Sequence, residues 1–309
     1  MNHKLLAIAC MLTLSASPAF AADSNAAPAK LTAAEIANRN VAARGGLQAW
    51  KAVNTLRWDG TIGAGGNQRG PSPILHENKR EFRLPTDPRP ADEVRLPFVM
   101  EMERPRKERF ELKFRGETAI QVYDGSNGWK LRPYLNRRQV ESFTDAELKT
   151  ASMQSELDGP LVDYAAKGSQ IALDGTEKVE GNDTYKLRVT TKAGYVFHVW
   201  IDAKTFLEAK VEGQPRRLDG RDHQVEVYYR DYRNIDGLQI PFVLETRVVP
   251  FASPNARVAE TSYAPEKIVI TKVTVNPPLP EALFARLQST DGITPVAQNA
   301  TTRPIAATR

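Results

Sequence analysis

The feature that most constrains this chain is a period-two alternation of apolar and charged residues, repeated segment after segment. Phe110, Leu112 and Phe114 alternate with Glu111 and Lys113, and Tyr185, Leu187 and Val189 with Lys186 and Arg188. Leu207, Ala209 and Val211 alternate with Glu208 and Lys210, and Val225, Val227 and Tyr229 with Gln224, Glu226 and Tyr228. Leu238, Ile240, Phe242 and Leu244 follow the same rule. Side chains on a strand point alternately to its two faces, so each segment has one greasy and one wet side. That pattern suits antiparallel sheets with one solvated face and excludes the doubly buried parallel sheets of α/β enzymes. Asp124-Gly125, Asp174-Gly175 and Asp236-Gly237 fall between runs, where hairpin turns need residues tolerant of positive φ. About ten to eleven strands are expected from these runs and breaks.

Three short helices punctuate the pattern. Thr32-Ala33-Ala34-Glu35 is a capping box, opening a helix that should run to Arg44 and stop at Gly45-Gly46. Thr144-Asp145-Ala146-Glu147 is a second, opening a helix through Glu156 that Gly159-Pro160 breaks, with a further turn over 161–166. Pro280 suits a first helical position and begins a piece through Leu287.

The first 21 residues read as a secretory signal, with basic Lys4, an apolar run from Leu5 to Leu14 and a small-x-small site at Ala19-Phe20-Ala21. Cleavage after Ala21 and delivery to a periplasm are the expectation. Residues 22–30 read as a flexible leader and 288–309 as a disordered tail, leaving 31–287 as one domain. Within it, 63–97 holds six prolines and reads as a long loop insertion.

The chemistry that can be excluded narrows the function. Cys10, the single cysteine, lies inside the signal, so neither a disulfide nor a thiolate metal site is expected. The formal net charge of +5 is mild and interleaved with acids, which argues against nucleic acid as a partner. His76, His198 and His223 show no metal-ligand spacing, so no metal and no cofactor are expected. No Gly-x-Ser-x-Gly elbow and no phosphate-cradling loop occur. Asp158, Asp163 and Tyr164 are the nearest thing to an acid–base group, and Asp158 reads chiefly as a turn former. The chain is therefore not expected to be an enzyme.

What is left is an apolar inventory too large for its cover. About ten strands offer one broad greasy face, and about three short helices cannot roof it all. Such a sheet must curl, closing on itself or leaving a cavity. The expected wall comprises Trp58, Met100, Met102, Phe110, Phe114, Trp129, Leu131, Tyr185, Leu187 and Phe197. Met153, Leu157, Leu161 and Tyr164 are expected as a helical lid that moves to admit ligand.

Several stretches resemble the LolA/LolB-like superfamily, and within it the bacterial outer-membrane lipoprotein-sorting-protein-like branch. They are Ala43 to Trp50, Met100 to Pro105, Tyr123-Asp124-Gly125 to Trp129, Asp158 to Tyr164, Gly181 to Leu187 and Tyr229 to Phe242. The resemblance spans roughly residues 31 to 287. It implies a mainly β fold, an unclosed antiparallel half-barrel whose concave face is covered by short helices. With no cysteine after the signal, the chain departs from the membrane-anchored LolB kind. The function expected is a periplasmic carrier or binder of lipid or another long apolar ligand, with lipoprotein acyl chains a candidate, acting by sequestration. The alternative is an envelope protein-interaction or sensing module on the same scaffold, with the 63–97 loop as contact surface for a protein partner.

Overall fold

The computed structural model describes residues 31–64, 94–133, 137–218, 221–249 and 265–288. The expected signal, the leader, the tail beyond Gln288 and residues 65–93 of the expected loop, His76 among them, lie outside the described residues.

Among the described residues, thirteen strands form one antiparallel sheet. They are β1 (Thr55–Ala64), β2 (Val94–Glu103), β3 (Lys107–Phe114), β4 (Glu117–Tyr123), β5 (Gly128–Arg132), β6 (Arg137–Ser142), β7 (Gln170–Val179), β8 (Asn182–Thr190), β9 (Val196–Asp202), β10 (Glu208–Leu218), β11 (Arg221–Ile235), β12 (Leu238–Val248) and β13 (Glu266–Val275). Two meanders run away from a shared centre. β1 to β6 run one way, β13 back to β7 the other, and β1 pairs β13 in the middle. The edges β6 and β7 do not pair, so the sheet is not closed into a barrel.

This topology dictates the most consequential connection. The chain leaves β6 at one edge and must next build β7 at the opposite edge, so residues 143–169 cross between the two. That crossing carries the helix α3 (Asp145–Gln154), two residues shorter than its sequence boundary. Its capping box is present, with Thr144 accepting from the Glu147 amide and Glu147 from the Thr144 amide. The N-terminal helix α1 (Ala33–Ala43) has its capping box at Thr32 and Glu35. Gly45 and Gly46 follow at φ 114° and 94°, and α2 (Leu47–Lys51), which the sequence reading missed, begins directly after them. The Pro280 piece is a 3-10 turn, Glu281–Phe284, with Pro280 in extended backbone before it.

Thirteen strands stand where ten to eleven were expected, and the strand boundaries differ from the sequence expectation at two places. Asp174-Gly175 is not a hairpin turn but an irregularity inside β7, where Gly175 takes φ 118° and the register with β8 shifts. A bulge and a turn both demand positive φ, so the dipeptide alone does not distinguish them. The real turn is Glu180-Gly181, with φ 50° and 88°, the same backbone as Asp236-Gly237 at 51° and 87°. The ends of the expected loop, Gly63-Ala64 and Val94 to Pro97, are ladder residues of β1 and β2.

Residues directly opposite in an antiparallel ladder share a face, so the registers fix the core. Leu56, Met102 and Val275 share the inner face, as do Gly60, Phe98 and Ile270. On this face Trp50, Val53, Leu157 and Val162 pack with Leu238, Ile240 and Phe242 of β12. Fully burying a large apolar side chain is worth about 1.5–3 kcal/mol, so these residues hold α2 and residues 157–162 onto the sheet.

Candidate functional site: a partly covered apolar trough

Beside that plug, the same face is only partly covered. Trp58, Met100 and Phe110 stand side by side on β1, β2 and β3. Leu112 lies opposite Phe98, whose ring stacks on Phe110 at 5.6 Å. Across the centre of the sheet, Ile62, Ile268, Leu244 and Tyr229 form a second continuous row. All of these except Phe98 keep partial exposure, while the plug residues are buried. The outcome is a trough with an apolar floor. The buried indole nitrogen of Trp58 has no hydrogen-bond partner among the described residues. A buried unpaired donor costs free energy that an acceptor on a ligand or water would recover.

Over this face lies α3, held by its ends and by polar contacts. Glu147 pairs with Lys130 of β5, with Oε2 at 2.6 Å. Lys149 stands 4.2 Å from the ring of Tyr195, in the β8–β9 turn. Gln214 of β10 donates to the Met153 sulfur at 3.6 Å. No residue of α3 is buried. A segment with little buried apolar surface opens at low cost, whereas the residues after it do not. Leu157 and Leu161 are buried, and Tyr164 is half-buried. The four expected lid residues thus divide, with Met153 on the loosely held helix and Leu157 and Leu161 in the core.

An ion-pair network anchors the segment after α3. Asp158 accepts from Arg104 at 2.8 Å and from Lys167 at 2.6 Å. Arg104 also donates to the carbonyls of Val53 and Trp50. Arg44 donates to the Asp158 carbonyl at 2.8 Å, lies over the Trp50 ring and pairs with Glu208 at 3.2 Å. Burial works to raise the Asp158 pKa, but Lys167 and Arg104 outweigh it and hold the carboxyl below its ordinary range. Asp163 is paired with Lys51 at 2.7 Å. The carboxylates that sequence reading offered as an acid–base group are thus each committed to a cation.

The expected wall also divides. Trp58, Met100, Phe110 and Phe114 are partly buried on the inner face, and Met102 belongs to the buried plug. Trp129 and Leu131 do not join them. Gln121 lies opposite Phe110 and Lys130 opposite Gln121, so the flanking Trp129 and Leu131 face the other side, with Val122 and Ile120. β5 is apolar on its outer face, and alternation cannot say which face is inner. Tyr185, Leu187 and Phe197 are on the inner face, but toward the β7 edge. There Leu187 is fully buried and Tyr185 stacks on Phe206, whose carbonyl accepts from Asn40 of α1.

One residue of the trough escaped the sequence reading. Glu108 lies between Met102 of β2 and Tyr123 of β4, on the inner face and in phase with Phe110, Leu112 and Phe114. Burial pushes its carboxyl up to about 7, and neither a hydrogen bond nor a neighbouring charge counters that. The available signal was its parity, since a charged residue had taken a place in the apolar series.

These features define a class: a single open antiparallel sheet whose two edges are joined by a helical crossing over a partly open apolar face. No protein-family model and no curated protein matches the sequence. Among solved structures, the fold is similar to a LolA-superfamily protein from Nitrosomonas europaea, at 12% identity over 82% of this chain and 98% of that one, with a TM-score of 0.49. It is similar to a putative outer-membrane lipoprotein-sorting protein domain from Vibrio parahaemolyticus, at 12% identity over 82% and 95%, TM-score 0.47. A DUF1329-family protein from Desulfovibrio piger is a further neighbour, at 15% identity over 81% and 95%, TM-score 0.48. The first two carry LolA-superfamily and lipoprotein-sorting names, and the third a different family name.

Proposed function

We propose that the protein is a periplasmic carrier or binder of lipid or another long apolar ligand, acting by sequestration without a covalent step. The observation that carries this reading is the partly exposed apolar row Trp58, Met100 and Phe110 on the inner face of the sheet, the face to which α3, a helix that buries none of its own residues, is tied through Lys130. Each methylene removed from water is worth about 0.8 kcal/mol, so a long acyl chain supplies on the order of 10 kcal/mol before ordering costs. Met100 is unbranched and adaptable, which suits a floor that meets a flexible chain. The orphaned Trp58 N–H offers one directional contact to an acceptor such as an ester carbonyl. The periplasmic location rests on the signal-like residues 1–21. Among the described residues no helix is long and apolar enough to cross a membrane, and no group of acids and histidines could hold a metal ion.

Native mass spectrometry of protein purified from an envelope fraction tests this. Co-purified lipid, displaced by a fluorescent long-chain alkyl probe, is the expected result. Protein that is free of lipid and binds no fluorescent chain would end the proposal.

A further inference from the structure

We infer that Glu108 is the polar end of the ligand site and that the ligand is an amphiphile carrying a protonated amine on a long alkyl chain. The inference rests on the apolar-ligand reading above and deepens it by naming the ligand class.

The neighbours of the Glu108 carboxylate are apolar or aromatic. On its own strand the next inward residue is Phe110, and across the ladders stand Met102 and Tyr123. The Tyr123 hydroxyl is spent on the Gly125 carbonyl at 2.9 Å. Every nearby cation is committed elsewhere. Lys107 goes to Glu103, Arg109 to Glu111 and the Leu283 carbonyl, Arg104 to Asp158, Arg106 to Glu156 and Lys130 to Glu147. Among the described residues Glu108 has no hydrogen bond and no ion pair. This stands out in a chain whose other acids are mostly paired.

Glu108 keeps part of its surface exposed, so its carboxylate is reachable from outside, and left unpaired among apolar neighbours it is a cost to the fold. At this strand position an apolar residue would pack better beside Met102 and Phe110. The group that turns the cost into a gain has a cation or strong donor attached to an apolar body. An alkylammonium supplies both, laying its chain on the row of Phe110, Met100 and Trp58 while its ammonium meets Glu108. A fatty acid or phosphate-headed chain would instead bring a second negative charge to the same place. Binding is then linked to protons. The free site holds Glu108 partly protonated near neutrality, the cation requires it ionised, and so amine affinity falls as pH drops below 7.

Dodecylamine, dodecanol and dodecanoate, titrated below their micelle concentrations against the full chain, separate the possibilities. Dodecylamine should bind about tenfold or more tightly than dodecanol near about pH 8, with the gap closing toward about pH 5.5. Glu108→Gln should abolish the preference for the amine over the alcohol. Equal affinity for amine and alcohol in the unmodified protein, or an amine preference that survives Glu108→Gln, would overturn the inference while leaving the trough as an apolar site. Binding of none of the three would overturn the carrier reading itself.

Discussion

Lys130 of β5 and Glu147 of α3 join the crossing helix to the sheet, and the same Glu147 carboxylate also caps the helix that it anchors. One residue thus serves the start of α3 and its attachment. Lys130 is largely buried while Glu147 is substantially exposed, at 8% and 40% of their side-chain surfaces.

Breaking this tie should loosen α3 without unfolding the protein. Lys130→Met leaves Glu147 in contact with solvent, so the cost is about 1 kcal/mol or less. Hydrogen exchange of the α3 amides should quicken, with the sheet amides of β1, β12 and β13 unchanged. Fluorescent-lipid uptake should be faster. Unchanged exchange in α3 would show that the pair does not hold the helix down.

Pinning the other end should do the opposite. Met153 and Gln214 touch through the ends of their side chains, so cysteines at both positions can be joined by a short thiol cross-linker. The cross-linked protein should take up a fluorescent chain more slowly, with equal or higher thermal stability. Leu157, buried in the core, stays in place either way. Uptake at an unaltered rate would mean that ligand enters by a route that does not displace α3.

Glu108 should impose a pH dependence on stability. Its folded pKa, about 7, lies above its ordinary value of 4.5. The folded state therefore holds the proton more tightly, and its contribution is fully present below about pH 4.5 and lost as pH rises through 7. The loss amounts to roughly 3 kcal/mol. Urea unfolding of the ligand-free protein should show it, and Glu108→Gln should flatten that part of the curve.

Asp158 should act with the opposite sign. Its carboxyl is held below the ordinary range, so it contributes stability above its unfolded pKa, lost as pH falls through the folded one. Asp158→Asn leaves Arg104 and Lys167 facing a neutral amide and should cost roughly 3 kcal/mol at neutral pH, measured by denaturant unfolding. The penalty should shrink in acid, where the native carboxylate is also neutralised.

Gly60 is fixed by packing rather than by its dihedrals. A Cβ there would meet the Val269 carbonyl oxygen and approach the Phe98 ring to 2.7 Å. The ring can turn, but the carbonyl belongs to β13, where the β1 register shifts. Gly60→Ala should destabilise by about 1–3 kcal/mol, read by the denaturant midpoint.

The local chemistry was legible in the sequence. Both capping boxes are made by Thr32 with Glu35 and by Thr144 with Glu147, because a cap depends on residues three apart. Alternation gave the antiparallel sheet, since it reports the two faces of a strand wherever that strand lies. The Asp236-Gly237 turn follows from positive φ at two adjacent positions. None of these needs a partner distant in the chain.

What depends on distant partners was decided only by tertiary structure. Alternation sorts residues into two faces without saying which is inner, and that is why Trp129 and Leu131 fall opposite Phe110. An Asp-Gly pair asks for positive φ, and only pairing with β8 makes Asp174-Gly175 a bulge. Leu157 continues the apolar spacing of α3, yet core packing holds it while the helix itself buries nothing. Glu108 looks like any strand glutamate until β2 and β4 close on it and leave it without a counter-charge. Burial and charge balance are sums over neighbours that the fold brings together from far along the chain, and the linear order of residues does not contain those sums.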